Sequence, residues 1–143
     1  MTRSTVLILG AALLVGVSPF LPWLSVGNVG VPGIPDPAGW FVAVLGLVSL
    51  ILVMPVVRRK WNTRPWIALA GLAATTTLVV VMTAGARTVA DRAQARAEAM
   101  ALVDNVPMAP VPPVRTGAGL WVGLLGAVSL AAAGLAGVWR RDA

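Results

Sequence analysis

Charged residues divide the chain into long apolar stretches. Positions 4–35, 37–57, 65–86 and 116–139 hold no Asp, Glu, Lys or Arg. A helix rising ~1.5 Å per residue needs about 20 apolar residues to cross a bilayer, and each stretch is long enough. The pattern predicts an all-α integral membrane protein with four transmembrane helices in an up-down bundle, over about 5–23, 37–57, 65–103 and 117–139, as a single domain. Local grammar supports these limits. Ser4 or Thr5 is placed to cap the first helix, and Pro19 to kink its last turn. Asp36-Pro37 and Thr63-Arg64-Pro65 are starts in which proline at the first helical position sacrifices no hydrogen bond, and Pro55 falls in the final turn of the second helix.

The connections differ in character. Residues 25–38 are rich in Gly and Pro and read as a short ordered lid, with a type II turn at Val31-Pro32-Gly33. Residues 87–103 are alanine-rich, with Arg87 and Asp91 four apart, so the third helix is expected to continue beyond the bilayer as a stalk. Pro107, Pro110, Pro112 and Pro113 then impose an extended connection. The apolar run after Arg3 passes through Pro19 and Pro22 without a small-x-small cleavage site, so it reads as a retained helix rather than a signal peptide. Trp23, Trp40, Trp61, Trp66, Trp121 and Trp139 fall at the ends of the predicted spans. Indole prefers that headgroup boundary, and these six are the expected interface anchors.

Composition sharpens the class. Hydrophobic residues make up 58% of the 143 and charged residues 11%, and the mean hydropathy is +0.88. Soluble domains carry roughly a quarter charged residues. The net charge of +6 arises mostly where membrane flanks are expected. Arg58, Arg59, Lys60 and Arg64 share one connection, and Arg140 and Arg141 follow the last apolar run. These six are read as cytoplasmic contacts to lipid headgroups rather than a nucleic-acid site, and the positive-inside rule puts both termini in the cytoplasm of a plasma-membrane protein. The chain has neither Cys nor His. That removes thiol exchange, Ser-His-Asp hydrolysis and the usual zinc, copper, haem and iron–sulfur ligands, so no metal or cofactor is expected.

Few residues offer chemistry. The predicted spans contain no ionisable group, which argues against a proton-driven transporter. Ser49, Ser129 and Thr75, Thr76, Thr77 can each bond a carbonyl of their own helix, or Ser49 and Ser129 can meet across the bundle. Asp91 and Glu98 share one side of the stalk but have no enclosing pocket, and Gly27, Gly30 and Gly33 lack the helix and lysine of a phosphate loop. Small residues at spacing four include Gly119 with Gly123, Ala12 with Gly16 and Ala133 with Gly137, and such pairs let helices approach closely in lipid. An offset of 80 aligns Gly39, Val42, Leu45, Gly46, Val48, Ser49 and Leu50 with Gly119, Val122, Leu125, Gly126, Val128, Ser129 and Leu130. A duplicated helical hairpin explains the match, and the restricted alphabet of membrane helices is the competing explanation. Gly46, Ser49, Gly119, Gly123, Gly126 and Ser129 are accordingly the expected helix-packing positions.

The order Pro22-Trp23, Gly39-Trp40, Arg64-Pro65-Trp66 and Gly117-x-Gly119-Leu120-Trp121 around four apolar runs resembles small, uncharacterised actinobacterial four-helix membrane proteins. Among them it is similar to the tryptophan-operon-associated membrane protein family. The resemblance implies no catalytic residue. The expected function is that of a non-enzymatic accessory or assembly subunit, whose partners are the lipid bilayer and other membrane-protein subunits or further copies of itself. A self-associating small channel or passive transporter is the alternative. An exterior enzyme would need Asp36, Asp91, Glu98 or Asp104 to converge in a cleft. Reporter fusions at the two ends are expected to give the same cytoplasmic signal, and opposite signals would remove the four-span reading.

Overall fold

A computed structural model describes residues 3–58, 62–108 and 110–139, without the side chain of Trp139. Helix α1 is Arg3–Val17, followed by one 3-10 turn, Ser18–Phe20. Strands β1 (Pro22–Val26) and β2 (Val29–Pro32) precede helix α2 (Pro37–Val57). Helix α3 (Arg64–Val80) runs through a π-helical turn, Val81–Gly85, into α4 (Ala86–Asp104). Strand β3 (Val114–Thr116) and helix α5 (Ala118–Trp139) complete the chain.

The chain is mainly helical. Four helical segments, Arg3–Phe20, Pro37–Val57, Arg64–Asp104 and Ala118–Val138, are long and apolar enough to cross a membrane. Their apolar residues surround each axis, as expected of helices solvated by hydrocarbon. Leu7, Leu47, Ile51, Leu69 and Leu125 all point outward, each more than half exposed. Inside, α1 packs against α2 and α5, and α3 against α5 and α2. One buried cluster joins Val15, Trp23, Leu24, Val42, Ala74, Leu78, Leu120 and Ala127. A second joins Ile8, Ala11, Ala12, Val53, Ile67 and Leu130.

Backbone proximity sets these helix seams. A Cβ added at Gly46 would lie 2.6 Å from the Cα of Gly16, one at Gly71 2.5 Å from the nitrogen of Ala131, and one at Gly134 2.7 Å from the nitrogen of Ala68. Small residues at these seams let the helix backbones approach to close van der Waals contact.

Three features depart from the sequence-based expectation. The first helix ends at Val17 rather than Trp23, because Pro19 and Pro22 supply no amide donors and the chain turns into β1. The helical class is joined by a three-stranded antiparallel sheet in the order β2-β1-β3, with Leu24 opposite Val31 on one side and Thr116 on the other. The positive φ lies at Gly27 (60°) and not at Gly33, so no type II turn forms at Val31-Pro32-Gly33. The two-residue turn Gly27-Asn28 closes the Val26–Val29 pair in the type II′ manner, whose twist matches the strands. The stalk is observed. α3 and α4 form one continuous helix from Arg64 to Asp104, and Asn105 (φ 52°) ends it in the left-handed region, while the Val106 amide donates to Ala101 O at 3.2 Å.

At the opposite end, Pro55 withholds the amide that would bond the carbonyl of Ile51. The neighbouring carbonyl of Leu52 accepts a hydrogen bond from the Thr63 hydroxyl at 2.5 Å, which ties the start of α3 to this weakened turn. Gly71→Val is expected to lower the unfolding midpoint in mild detergent by an amount equivalent to about 1–3 kcal/mol of overpacking. Gly10→Ala, where an added Cβ meets nothing within 4 Å, is expected to be neutral or stabilising by less than about 1 kcal/mol. Thermal unfolding followed by circular dichroism checks both.

Candidate functional site: the sheet end and its stalk

The sheet end is built around Trp23. Successive residues of a strand face opposite ways, yet Trp23 and Leu24 are both buried, 3% and 5% exposed. A break in the β1–β2 register between Pro22 and Leu24 resolves this, because a bulge re-aims one side chain. The indole Nε1 donates to Ser18 O at 2.8 Å, and the Ser18 hydroxyl donates to Val15 O at 3.1 Å. The ring lies between two glycines. A Cβ at Gly33 would sit 2.6 Å from its Cε2, and one at Gly119 2.8 Å from its Cδ1. The amide of Gly117 donates to Trp23 O at 2.7 Å, and that of Ile34 to Pro19 O at 3.1 Å. The start of α5 and the exit of the hairpin are thus fastened to the end of α1 through one aromatic residue.

The expected interface anchors therefore divide. Trp23 is enclosed beneath the sheet, 3% exposed. Trp40 and Trp121, at the sheet ends of α2 and α5, and Trp66, at the far end of α3, are each more than half exposed. Trp61 lies outside the described residues, as does the side chain of Trp139. Of the basic positions, Arg58 is exposed at the end of α2. Arg64 is half-buried, and its Nη1 donates to Gly137 O at 3.4 Å, placing a cation at the carbonyl end of α5 where the helix dipole favours it. Arg59, Lys60, Arg140 and Arg141 lie outside the described residues.

The repeat-related packing positions are only partly equivalent in space. Gly46 and Gly126 both face α1, the first against Gly16 and the second against Leu14, Ala11 and Val15. Gly39 meets the backbone of Gly33, Gly119 meets Trp23, and Gly123 meets Ser18 and Leu78. Ser49 is buried and donates to Leu45 O at 2.7 Å, whereas Ser129 is exposed, so the two hydroxyls do not meet. Thr75, Thr76 and Thr77 likewise donate to carbonyls four residues back on α3. Hydroxyls satisfied in this way need no partner from another helix.

The carboxylates do not assemble. Asp36 caps α2, its Oδ1 accepting from the Ala38 amide at 2.9 Å. Glu98 accepts from Gln94 Nε2 at 3.0 Å, and Asp91 and Asp104 are exposed along the stalk. Among the described residues no three carboxylates gather as a metal site would require. The stalk extends over 19 residues of α4, about 28 Å at 1.5 Å per residue. Val89 packs at its base against the core, and none of its residues is buried. The far end is apolar: Leu102 and Val103 are each 83% exposed, with Met100, Val106 and Met108 exposed beside them.

Sequence reasoning missed the sheet, the enclosure of Trp23 and the role of Ser18. A signal for the hairpin exists in Leu24-Ser25-Val26-Gly27-Asn28-Val29-Gly30-Val31, an alternating run broken by a two-residue Gly-Asn turn. Comparison with known proteins finds no matching family model, curated protein or solved structure.

Gly33→Ala is expected to destabilise more than Trp23→Phe. The first displaces the ring or the hairpin, at about 1–3 kcal/mol. The second removes one hydrogen bond, at about 1 kcal/mol, and Ser18 O keeps the Leu21 amide as a donor at 3.2 Å. Unfolding midpoints together with near-ultraviolet circular dichroism of the tryptophans check the order.

Proposed function

We propose that this chain is a non-enzymatic polytopic protein of the plasma membrane that serves as an accessory or assembly subunit of a larger complex. In this reading the four apolar helices cross the bilayer as an up-and-down bundle. Both termini and the basic connection around Arg58 and Arg64 face the cytoplasm, and the sheet and stalk stand outside. The observation that carries it is the apolar tip of the stalk. Leu102 and Val103 are each 83% exposed at the end of a helix with no buried residue, and among the described residues nothing covers them. Covering a Leu or Val side chain is worth about 1.5–3 kcal/mol, so an exterior segment of another subunit would gain by docking there.

The reading as a self-associating channel draws on Thr76, Thr83 and Ser129, which lie on outward faces of α3, its π turn and α5. The hydroxyls of Thr76 and Thr83 are already bonded to Leu72 O and Val79 O, and glycine-to-backbone contacts fill the seams inside one copy. A permeation path would have to run between copies. The stalk tip favours the accessory reading.

A photo-crosslinking residue at position 102 in intact cells is expected to give a discrete adduct with another membrane-associated chain. The double change Leu102→Glu, Val103→Glu should reduce recovery of that complex in mild detergent at least about tenfold, from two lost apolar anchors. It should leave the unfolding midpoint within about 0.5 kcal/mol of the parent, because these positions support no core. Adducts formed only between copies of this chain would transfer support to self-association.

A further inference from the structure

Beside Trp23 a cavity of about 260 Å³ opens between the sheet and the α3–α4 helix. Its apolar lining includes Trp23, Val31, Val81 and Val89, and both Asp36 and Arg92 line it as well. The long helix contributes Val80, Ala84, Thr88 and Arg92 to one side of it, with Val81, Gly85 and Val89 beside them. The π turn Val81–Gly85, in which the Ala86 amide bonds Val81 O, forms part of that wall. Single π turns concentrate at functional sites.

The depth of the cavity identifies what would enter it. From Arg64 to Ala84 is 20 residues of nearly continuous helix, about 30 Å, which is one hydrocarbon thickness. On that scale Val80 and Ala84 fall at the sheet-side edge of the hydrocarbon, Thr88 in the headgroup layer, and Arg92, about 12 Å beyond Ala84, past its outer margin with a side chain long enough to reach back into it. The volume is below the ~300–1,000 Å³ of sites that enclose a whole small molecule. It suits a headgroup and the first part of one chain, with the rest left in the bilayer. The two charged groups are of opposite sign. A guanidinium suits a phosphate, and the carboxylate of Asp36, with Oδ1 engaged by the Ala38 amide, has its second oxygen for an ammonium.

We propose that the cavity between the hairpin and the π turn binds one phospholipid of the sheet-side leaflet through a primary-ammonium, zwitterionic headgroup, its phosphate on Arg92 and its ammonium on Asp36. The site rests on the chain lying in a bilayer, as proposed above, and is independent of any protein partner. It makes the sheet end a lipid-reading surface, and it gives the one irregular turn of the long helix a task.

The test uses the full chain, purified in mild detergent and mixed with equal amounts of phosphatidylethanolamine, phosphatidylcholine, phosphatidylglycerol and diacylglycerol, with bound lipid read by native mass spectrometry. One phosphatidylethanolamine per chain is expected, at least about tenfold over phosphatidylglycerol and diacylglycerol. Arg92→Gln should lower its retention about tenfold, the loss of one charge-assisted hydrogen bond. Asp36→Asn should do the same while keeping the helix cap, since Asn caps as well as Asp, and should remove the preference over phosphatidylglycerol. Ala84→Trp, which fills the cavity, should abolish retention. Equal retention of all four lipids overturns the proposal. So does unchanged retention in both charge variants, which leave the core intact and decide the matter even where Ala84→Trp does not fold. Recovery of the chain in the soluble fraction of cells would instead overturn the membrane reading beneath it.

Discussion

The sheet end of this protein depends on the enclosure of one indole ring. Trp23 can reach its position only because β1 carries a bulge, and it can stay there only because Gly33 and Gly119 offer bare backbone to its two sides. Its N–H would be costly to bury unpaired, and Ser18 O, freed by the end of α1, accepts it. Each of these conditions lies in a different part of the chain. Meeting them together joins the hairpin, the start of α5 and the end of α1. Gly39 approaching the backbone of Gly33 brings in the start of α2. The strands are short, and the buried side chains of β1 belong to the helical core, so the sheet is anchored on the bundle.

The helices cohere by a different rule. At the sheet end an aromatic fills space between glycines. Along the helix seams glycines remove the space altogether, with Gly46 on Gly16, Gly71 on Ala131 and Gly134 on Ala68. Gly46 and Gly126, equivalent in the repeat, approach the same helix α1 from two sides. Ser49 and Ser129, equivalent in the same way, do not share an environment. Such a pattern follows if packing constrains the glycines, for which there is no substitute without moving backbone. A hydroxyl that bonds its own helix can face inward or outward at little cost.

The sequence is most legible where one residue type dominates the energetics. Charge placement brackets α2 and marks where α1, α3 and α5 begin, the end of α1 is set by prolines instead, and the alanine-rich run after Arg87 announces the helical extension. Asp36-Pro37 and Arg64-Pro65 mark helix starts that the structure places within a residue of expectation. A tryptophan at the end of an apolar run reads the same whether its ring meets lipid headgroups or a covering sheet. For Trp23 the difference is made by Gly33 and by Gly119, the latter 96 residues later in the chain. The π turn was equally hidden. Val81-Met82-Thr83-Ala84-Gly85 carries no signal of its own, and the irregularity shows only in the hydrogen bond from the Ala86 amide to Val81 O.

The continuity of α3 and α4 links these parts. A stalk joined to its helix by a flexible linker would move independently of the bundle. Here the same backbone hydrogen-bond ladder runs from Arg64, whose guanidinium touches the carbonyl end of α5, to Asp104. The stalk base is held by Val89 against the core and lies alongside β3, so a force at the tip is borne by the sheet as well as by the helix. The π turn lies between the section clamped to α5 through Gly71 and the section clamped to the sheet. It marks the boundary between the two sections, where the Ala86 amide reaches back five residues to Val81 O. A ligand in the adjoining cavity would touch both sections at once, and its binding energy would therefore bear on the angle between the stalk and the bundle.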